Sequence, residues 1–273
     1  MSGAESAILA FNSRCAEVLS KHGASEFKWN RISSRETSAA AHEMLELLFS
    51  QNQIRVLTLS WDIKGPRYNG LPVNDSEDFH RMLFHGLRRN ADWHRLKDWH
   101  WFPDQKTDLR EEHVQSVLNT TKEQSWYLKN PTLLDTERLR LNFGTPKQKC
   151  SKEVPIIGVA DIFAGAMRES LLNAEKILHT SKMLDASSRQ NLFEEGELEL
   201  LIDEENEISK SEQSRLDVCA RIYLLGERYK QGVSLRSKMY FHSHNEKTNF
   251  LFWHWVPQGR HDKAPLRKKP YVK

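Results

Sequence analysis

The sequence predicts an α/β protein in which a sheet is flanked by helices. Several stretches carry apolar residues at three- and four-residue spacing, which is typical of amphipathic helices. Runs of β-branched or alternating residues, such as IRVLTLSWD and RLRLNF, lie between those stretches. Because helix patterns and strand patterns alternate along the chain, an α/β architecture is favoured over an all-α or all-β one.

The first half of the chain supplies most of the predicted sheet. In the first predicted helix, Phe11 and Cys15 recur on one face and Gly23 marks the end. Ser76 is a suitable N-cap for a later helix. Helices are predicted over residues 4–22, 34–49, 76–91 and 107–119, and strands over 26–32, 54–62, 96–104 and 138–143.

The second half is predicted to add an insertion and an extension to this core. A helix begins after Pro155, an acidic segment covers 194–212, and a further helix covers 213–230. SKMYFHSH and NFLFWHWVP are predicted to form a β-hairpin around NEKT. We therefore expect a core over 1–180, an acidic insertion or linker over 181–212, and a C-terminal helix, hairpin and basic tail over 213–273.

The composition indicates a soluble protein of the reducing cytoplasm. The chain has 273 residues, of which 38% are hydrophobic and 28% are charged. No apolar run is long enough to span a membrane, and MSGAESAILAF does not resemble a signal peptide. The three cysteines are odd in number and widely spaced, so neither a disulfide framework nor a cysteine zinc site is expected. Nothing in the sequence predicts the oligomeric state.

Charged residues are distributed unevenly along the sequence, and this distribution has two interpretations. EEGELELLIDEENE carries eight acids and no base, and the segment from Gln258 to Lys273 carries six bases. A solvated face and a loose tail are the simpler interpretation. The alternative is a basic arm that contacts nucleic acid phosphates. Its candidate residues, together with the bases on the outward face of the strand 138–143, are Arg138, Arg140, Arg267, Lys268 and Lys269.

Four acids are candidates for a functional site. Asp161 lies within the apolar stretch IIGVADIFAGAM, and an acid is costly to bury unless it is paired or bound to a cation. Asp62 and Asp104 end predicted strands, and such ends gather at one edge of an open α/β sheet. Simpler interpretations remain open. Asp161 could interact with a helix dipole, Asp62 and Asp104 could be turn residues, and Glu26 could be a solvated strand residue.

Histidines and tryptophans of the C-terminal segment suggest a weaker hypothesis. His242, His244 and His254 could share one face of the predicted hairpin, and histidines at such spacing can bind zinc. A half-exposed aromatic hairpin without metal is the favoured alternative. Tryptophans among basic residues can stack on bases, but at strand spacing they are more often part of a core.

The order of several short motifs resembles that of a bacterial family, domain of unknown function 3800. The motifs are EFKW, a strand ending in Asp62, WHWFPDQK, RLRLNF and VPIIGVADIFAG. ADIFAG is the most specific of them, and the resemblance covers about residues 5–175. It implies a ribonuclease-H-like mixed sheet and a hydrolase that cleaves nucleic acid phosphodiesters. It also implies that Asp104 and Asp161 bind Mg²⁺ or Mn²⁺ and that Glu26 and Asp62 lie nearby.

The resemblance also implies a missing element. Members of that family begin with a strand resembling YIDESG, whose Asp binds metal, followed by a second apolar strand. Here MSGAES leads directly into the first predicted helix, so we expect an N-terminally shortened core without either strand. A two-metal nuclease of weak or absent activity is therefore one expectation. A non-catalytic nucleic-acid-binding or protein-assembly module that kept the fold is the alternative.

Overall fold

The protein is a mixed α/β structure whose chain divides into two compact units. The computed structural model describes residues 1–61, 86, 89–90, 98–100, 102, 104, 142–143, 147, 149–190 and 208–255. One unit consists of Met1–Thr58 and Ser151–Trp253, and the other of Leu59–Cys150 and His254–Lys273. The predicted mixture of helices and strands is confirmed at this level of description.

Helices form most of the described chain, and the strands are short. The α-helices are α1 (Glu5–His22), α2 (Arg35–Phe49), α3 (Pro155–Gln190) and α4 (Lys210–Arg228), and Trp29–Arg31 forms a 3₁₀ turn. The strands are β1 (Ser2–Gly3), β2 (Ile54–Trp61), β3 (Asp98–Trp99), β4 (Asn142–Phe143), β5 (Val233–Ser234), β6 (His242–Ser243) and β7 (Phe250–Trp255). They pair in the orders β1-β2-β7, β3-β4 and β5-β6, of which β3-β4 is parallel.

The helix ends follow from local capping chemistry. The Ser34 hydroxyl accepts a hydrogen bond from the Thr37 amide at 3.1 Å, so α2 begins where predicted. Gly23 ends α1 with φ +68°, a conformation that favours glycine. α4 begins at Lys210, earlier than predicted, because the Ser209 hydroxyl accepts from the Glu212 amide. The C-terminal part of the acidic segment is therefore helical.

The core of the first unit is formed between the helices. The predicted stripe of α1 is confirmed, with Phe11 and Cys15 almost fully buried. α3 packs against α4 and α1, and α2 packs against both α1 and α4. α4 therefore contributes to the same core as α1 and α2. The predicted division of the chain at residues 180 and 212 stays a prediction.

The predicted strand over residues 26–32 is wrong. Lys28 has the extended backbone that the alternating pattern suggested, with φ −153° and ψ 132°. The amide of the next residue, Trp29, donates to a side chain of α3 rather than to a neighbouring strand, and the 3₁₀ turn follows. An alternating pattern predicts an extended backbone but not the identity of its hydrogen-bond partner.

The predicted hairpin over SKMYFHSH and NFLFWHWVP is also wrong in its pairing. β6 pairs with β5, whereas β7 lies beside β2 in the three-stranded sheet. The Ser243 hydroxyl bridges toward β7, donating to the Phe250 carbonyl at 2.9 Å and accepting from the Phe252 amide at 3.0 Å. β7 is drawn into the core by its aromatic residues: Phe250 stacks on Phe49 with ring centroids 3.8 Å apart.

The sequence predicted no strand ahead of α1, and this was wrong. Ser2 and Gly3 form the two-residue strand β1, which pairs antiparallel with β2 through Arg55 and Ile54. A strand of this length is too short to produce an alternating pattern, so only its backbone pairing identifies it.

Several predicted elements lie outside the described residues or only partly within them. Gly86, Arg89 and Asn90 are helical, within the predicted helix 76–91. The predicted helix 107–119 and the basic tail lie outside. The predicted strands 96–104 and 138–143 are represented by β3 and β4, which confirms strand structure at both places.

Two properties of the described chain concern its environment. None of the described helices combines the length and the apolar character needed to cross a bilayer. All three cysteines are free thiols, and burial raises the pKa of Cys15 to about 12.

Two glycines of α3 allow the segment 26–29 to lie directly on the helix, which makes a stability prediction. A methyl group at Gly158 would overlap the Phe27 carbonyl oxygen. In an unobstructed helix, Gly→Ala raises the free energy of unfolding by about 1 kcal/mol. We expect Gly158→Ala to lower it by about 1–3 kcal/mol instead, measured by urea denaturation.

The exposed neighbour Ala164 provides the control for this measurement. Ala164→Gly should cost only the helix-propensity difference of about 1 kcal/mol, since no tertiary contact is changed. A Gly158→Ala protein more stable than the parent would show that the segment does not lie against the helix.

Candidate functional site

The carboxylate of Asp161, in an apolar part of α3, is accommodated by a hydrogen bond from a distant segment of the chain. It lies beyond the first turn of α3, so the helix dipole is not its main partner. Its Oδ2 accepts a hydrogen bond from the backbone amide of Trp29 at 2.9 Å, across 132 residues of sequence. The carboxylate is half-buried, and among the described residues its other oxygen, Oδ1, has no hydrogen-bond partner.

The contact between residues 26–29 and α3 depends on close backbone approach. Phe27 lies on Gly158, and the indole of Trp29 lies on Gly165. The two glycines are two helical turns apart and therefore share a face of α3 with Asp161. The segments EFKW and ADIFAG, which carry the family resemblance, are thus in direct contact.

The carboxylate of Glu26 is buried, and both of its oxygens contact neighbouring polar groups. The residue is 3% exposed. Its Oε2 accepts from the Ser151 hydroxyl at 3.0 Å, and its Oε1 lies 3.3 Å from the Arg31 guanidinium. The interpretation of Glu26 as a solvated strand residue is therefore wrong. Both oxygens already serve to hold the start of the 3₁₀ turn against the segment that precedes α3.

The remaining predicted site residues belong to the second unit or lie outside the described residues. Asp104 is exposed and forms an isolated parallel bridge with Lys149 in the second unit. Asp62 lies outside the described residues. The predicted nucleic-acid-binding residues also lie outside them: Arg138, Arg140, Arg267, Lys268 and Lys269. Metal binding by Asp104 and Asp161 stays a prediction.

The described residues contain no group of three or more His, Cys, Asp or Glu side chains that could hold a metal ion. His242 and His244 do lie together, with ring centroids 4.5 Å apart. Both ring nitrogens of His242 are engaged, Nδ1 with the Tyr240 carbonyl and Nε2 with the Ser237 hydroxyl. His254 contacts Ser60. The described contacts of His242 and His254 are thus with protein carbonyl and hydroxyl groups, and zinc binding by the three histidines stays a prediction.

Sequence reasoning missed two residues of this region. Ser151 donates to Glu26, and the amide of Trp29 holds Asp161. No sequence pattern signalled the role of Ser151. EFKW approaches α3 closely at Gly158 and Gly165, the two glycines that flank Asp161.

Comparisons with known proteins extend over most of the chain but carry no activity. The chain is 28% identical over 248 residues to the uncharacterized protein ORF2′ of Methanothermobacter thermautotrophicus, covering 89% of this chain and 80% of that protein. It is 26% identical over 251 residues to the uncharacterized protein ORF2 of the same organism, with the same coverage. No model of a known protein family matches the chain, and no solved structure matches it.

The carboxylate of Asp161 should contribute to stability through its acceptor atom rather than its charge. Asp161→Ala leaves the Trp29 amide without its partner, and we expect the free energy of unfolding to fall by about 1–3 kcal/mol. Asp161→Asn keeps an acceptor oxygen and should cost less than Asp161→Ala. Urea denaturation measures both, with Glu175→Ala at an exposed position of α3 as the control. Equal losses in the Ala and Asn variants would contradict this role.

The pKa of His242 is lowered because burial disfavours the charged ring. The hydrogen bond to the Tyr240 carbonyl raises the pKa, but by less than burial lowers it. The His242 ring therefore binds a proton less tightly in the folded protein than in the unfolded chain, where the pKa of histidine is about 6.5. Stability from this group is present above that pH and is lost as the pH falls. We expect NMR to place the His242 ring titration below about 6.5. A His242→Gln variant assigns the signal and should weaken the acid destabilisation, and a midpoint above 6.5 would contradict the prediction.

Proposed function

We propose that this chain is a ribonuclease-H-like protein related to metal-dependent nucleases, with weak hydrolytic activity on nucleic acid phosphodiesters. The observation that carries the proposal is the contact of EFKW with ADIFAG through the Trp29 amide and Asp161. These two segments carry the most specific part of the resemblance to domain of unknown function 3800. Their direct contact supports reading them as parts of one site rather than as two accidental matches.

Asp161 has the properties of a ligand for a hard divalent cation. One carboxylate oxygen is fixed by the Trp29 amide, and the other has no hydrogen-bond partner among the described residues. A side chain held in this way is oriented before a cation arrives. Carboxylate oxygens suit Mg²⁺ and Mn²⁺. A divalent cation held there by Asp161 would supply activation of a water molecule and stabilisation of the leaving oxygen of a phosphodiester.

The same contacts argue for weak activity. Both carboxylate oxygens of Glu26 are already held by Ser151 and Arg31, so Glu26 is poorly suited to bind a cation as well. In this proposal Asp62 and Asp104 supply the further ligands. A site with fewer strong ligands holds its ion less firmly, and small errors of position reduce the rate steeply. The reducing cytoplasm stays the expected compartment.

A second function is favoured by a specific observation. Within the described ranges, no three potential ligands lie together, and Glu26 serves a structural role. A chain that kept the fold while its acids serve only packing would be a non-catalytic module that binds nucleic acid or assembles with protein. The two functions differ in whether Asp161 is needed for chemistry or only for stability.

A cleavage assay with the full chain separates them. We expect slow cleavage of DNA or RNA with Mn²⁺, less with Mg²⁺ and none with chelator. Asp161→Asn should abolish this cleavage while changing the free energy of unfolding by less than Asp161→Ala does, because Asn keeps the acceptor for the Trp29 amide. The measurement is the release of labelled fragments from single- and double-stranded substrates.

Glu175→Gln is the matched control, since it makes the same chemical change at an exposed position of the same helix. It should leave cleavage unchanged. If the parent shows no cleavage with either metal, the nuclease proposal fails and the non-catalytic module becomes the better account. Cleavage that survives Asp161→Asn would show that Asp161 is not a ligand.

A further inference from the structure

The indole of Trp29 is presented as a flat surface on α3. The ring atoms nearest a methyl group at Gly165 would be Cγ, Cδ2 and Cδ1. Cγ is bonded to Cβ, and Cδ2 is shared by the two fused rings. A methyl group therefore cannot approach either atom through the edge of the indole. The helix therefore meets the face of the indole, and the opposite face points away from the helix. Trp29 is half-buried.

Two charged residues flank this ring along the helix. Asp161 lies one turn before Gly165 and accepts from the Trp29 amide. Arg168 lies almost one turn after Gly165, a spacing that places the two positions about 5–6 Å apart. Arg168 is exposed and has no ion-pair partner among the described residues. We call Trp29, Asp161, Gly165 and Arg168 the tryptophan platform.

We propose that the tryptophan platform binds an unpaired nucleotide, with the base on the free face of Trp29 and a neighbouring phosphate on Arg168. This inference rests on the proposed function and names its substrate class as single-stranded nucleic acid. An indole can stack on any base, but only on one that is not already stacked inside a duplex. Trp29 is only half-buried where it packs against the core, and none of the described aromatic rings stacks on it.

The charges around the ring favour a phosphate-bearing ligand. Arg31 is 50% exposed in its side chain, close to Trp29 in sequence, and its partner Glu26 is buried beneath it. Arg168 supplies a second cation that no described acid neutralises. Asp161 opposes phosphate binding on its own, and a divalent cation at its carboxylate would reverse that effect. Binding should therefore strengthen when Ca²⁺, which seldom supports such cleavage, replaces chelator.

Fluorescence anisotropy with labelled single strands of DNA and RNA, and with the duplexes of each, measures this binding in Ca²⁺. We expect the single strands to bind more tightly than the duplexes. Trp29→Leu, which keeps an apolar contact with Gly165, should weaken single-strand binding by about tenfold. Trp29→Phe should weaken it less. Arg168→Gln should weaken binding and reduce its dependence on salt by about one phosphate contact.

Lys182→Gln is the control, because it removes one positive charge from an exposed position further along α3. It should leave single-strand binding unchanged. Thermal unfolding of each variant shows whether it is folded under the conditions of the binding assay.

The outcomes separate this inference from the nuclease proposal. Single-strand binding lost in Trp29→Leu, but not in Lys182→Gln, supports the platform even if the parent cleaves nothing. Cleavage by the parent together with unchanged binding in Trp29→Leu and Arg168→Gln overturns the platform while the nuclease proposal stands. Preference for duplexes, or no binding to any of the four ligands, also overturns the platform.

Discussion

The hydrogen bond from the Trp29 amide to Asp161 is the interaction on which the organisation of the first unit depends. A carboxylate placed among apolar residues needs partners, and a backbone amide in an irregular segment needs an acceptor. The Trp29 amide donates to Oδ2 of Asp161 at 2.9 Å, so each group provides the partner that the other needs. This hydrogen bond fixes the segment between α1 and α2 on a helix that comes much later in the chain.

Close packing around this bond gives the acid a defined orientation. Gly158 and Gly165 remove the side chains that would otherwise hold the segment away from α3. Ser151 and Arg31 then hold Glu26 at the beginning of the same segment. These contacts stabilise the fold whether or not the site binds a cation. Under the proposed function the same carboxylate would serve both stability and chemistry, so substitutions at Asp161 must preserve an acceptor before they can report on catalysis.

The sequence was informative wherever structure is set locally. The stripe of α1, its end at Gly23 and the start of α3 at Pro155 depend on residues within a few turns of each other, so they could be predicted. The segment 26–32 and the pairing of β7 could not, because their hydrogen-bond partners lie far away in sequence. The same limit applies to the candidate site.

Within that site, the unusual position of Asp161 could be recognised from its apolar neighbours. The burial of Glu26 could not be predicted, since an acid between Ser25 and Phe27 in an alternating run is equally compatible with solvent. Its burial requires Ser151 and Arg31 together, and only the folded chain brings them to it. Whether Asp62 and Asp104 join Asp161 depends on contacts of the same long-range kind.

The division of the first unit between two separated stretches of chain has a consequence for its synthesis. Met1–Thr58 leaves the ribosome before Ser151–Trp253 has been translated. Until then the apolar faces of α1 and α2 have no α3 or α4 to cover them, and Phe49 lacks the ring of Phe250. The nascent N-terminal stretch therefore exposes apolar surface while most of the protein is still being made, a state in which chains are prone to aggregate. The core of this unit can therefore close only after Ser151–Trp253 has been synthesised.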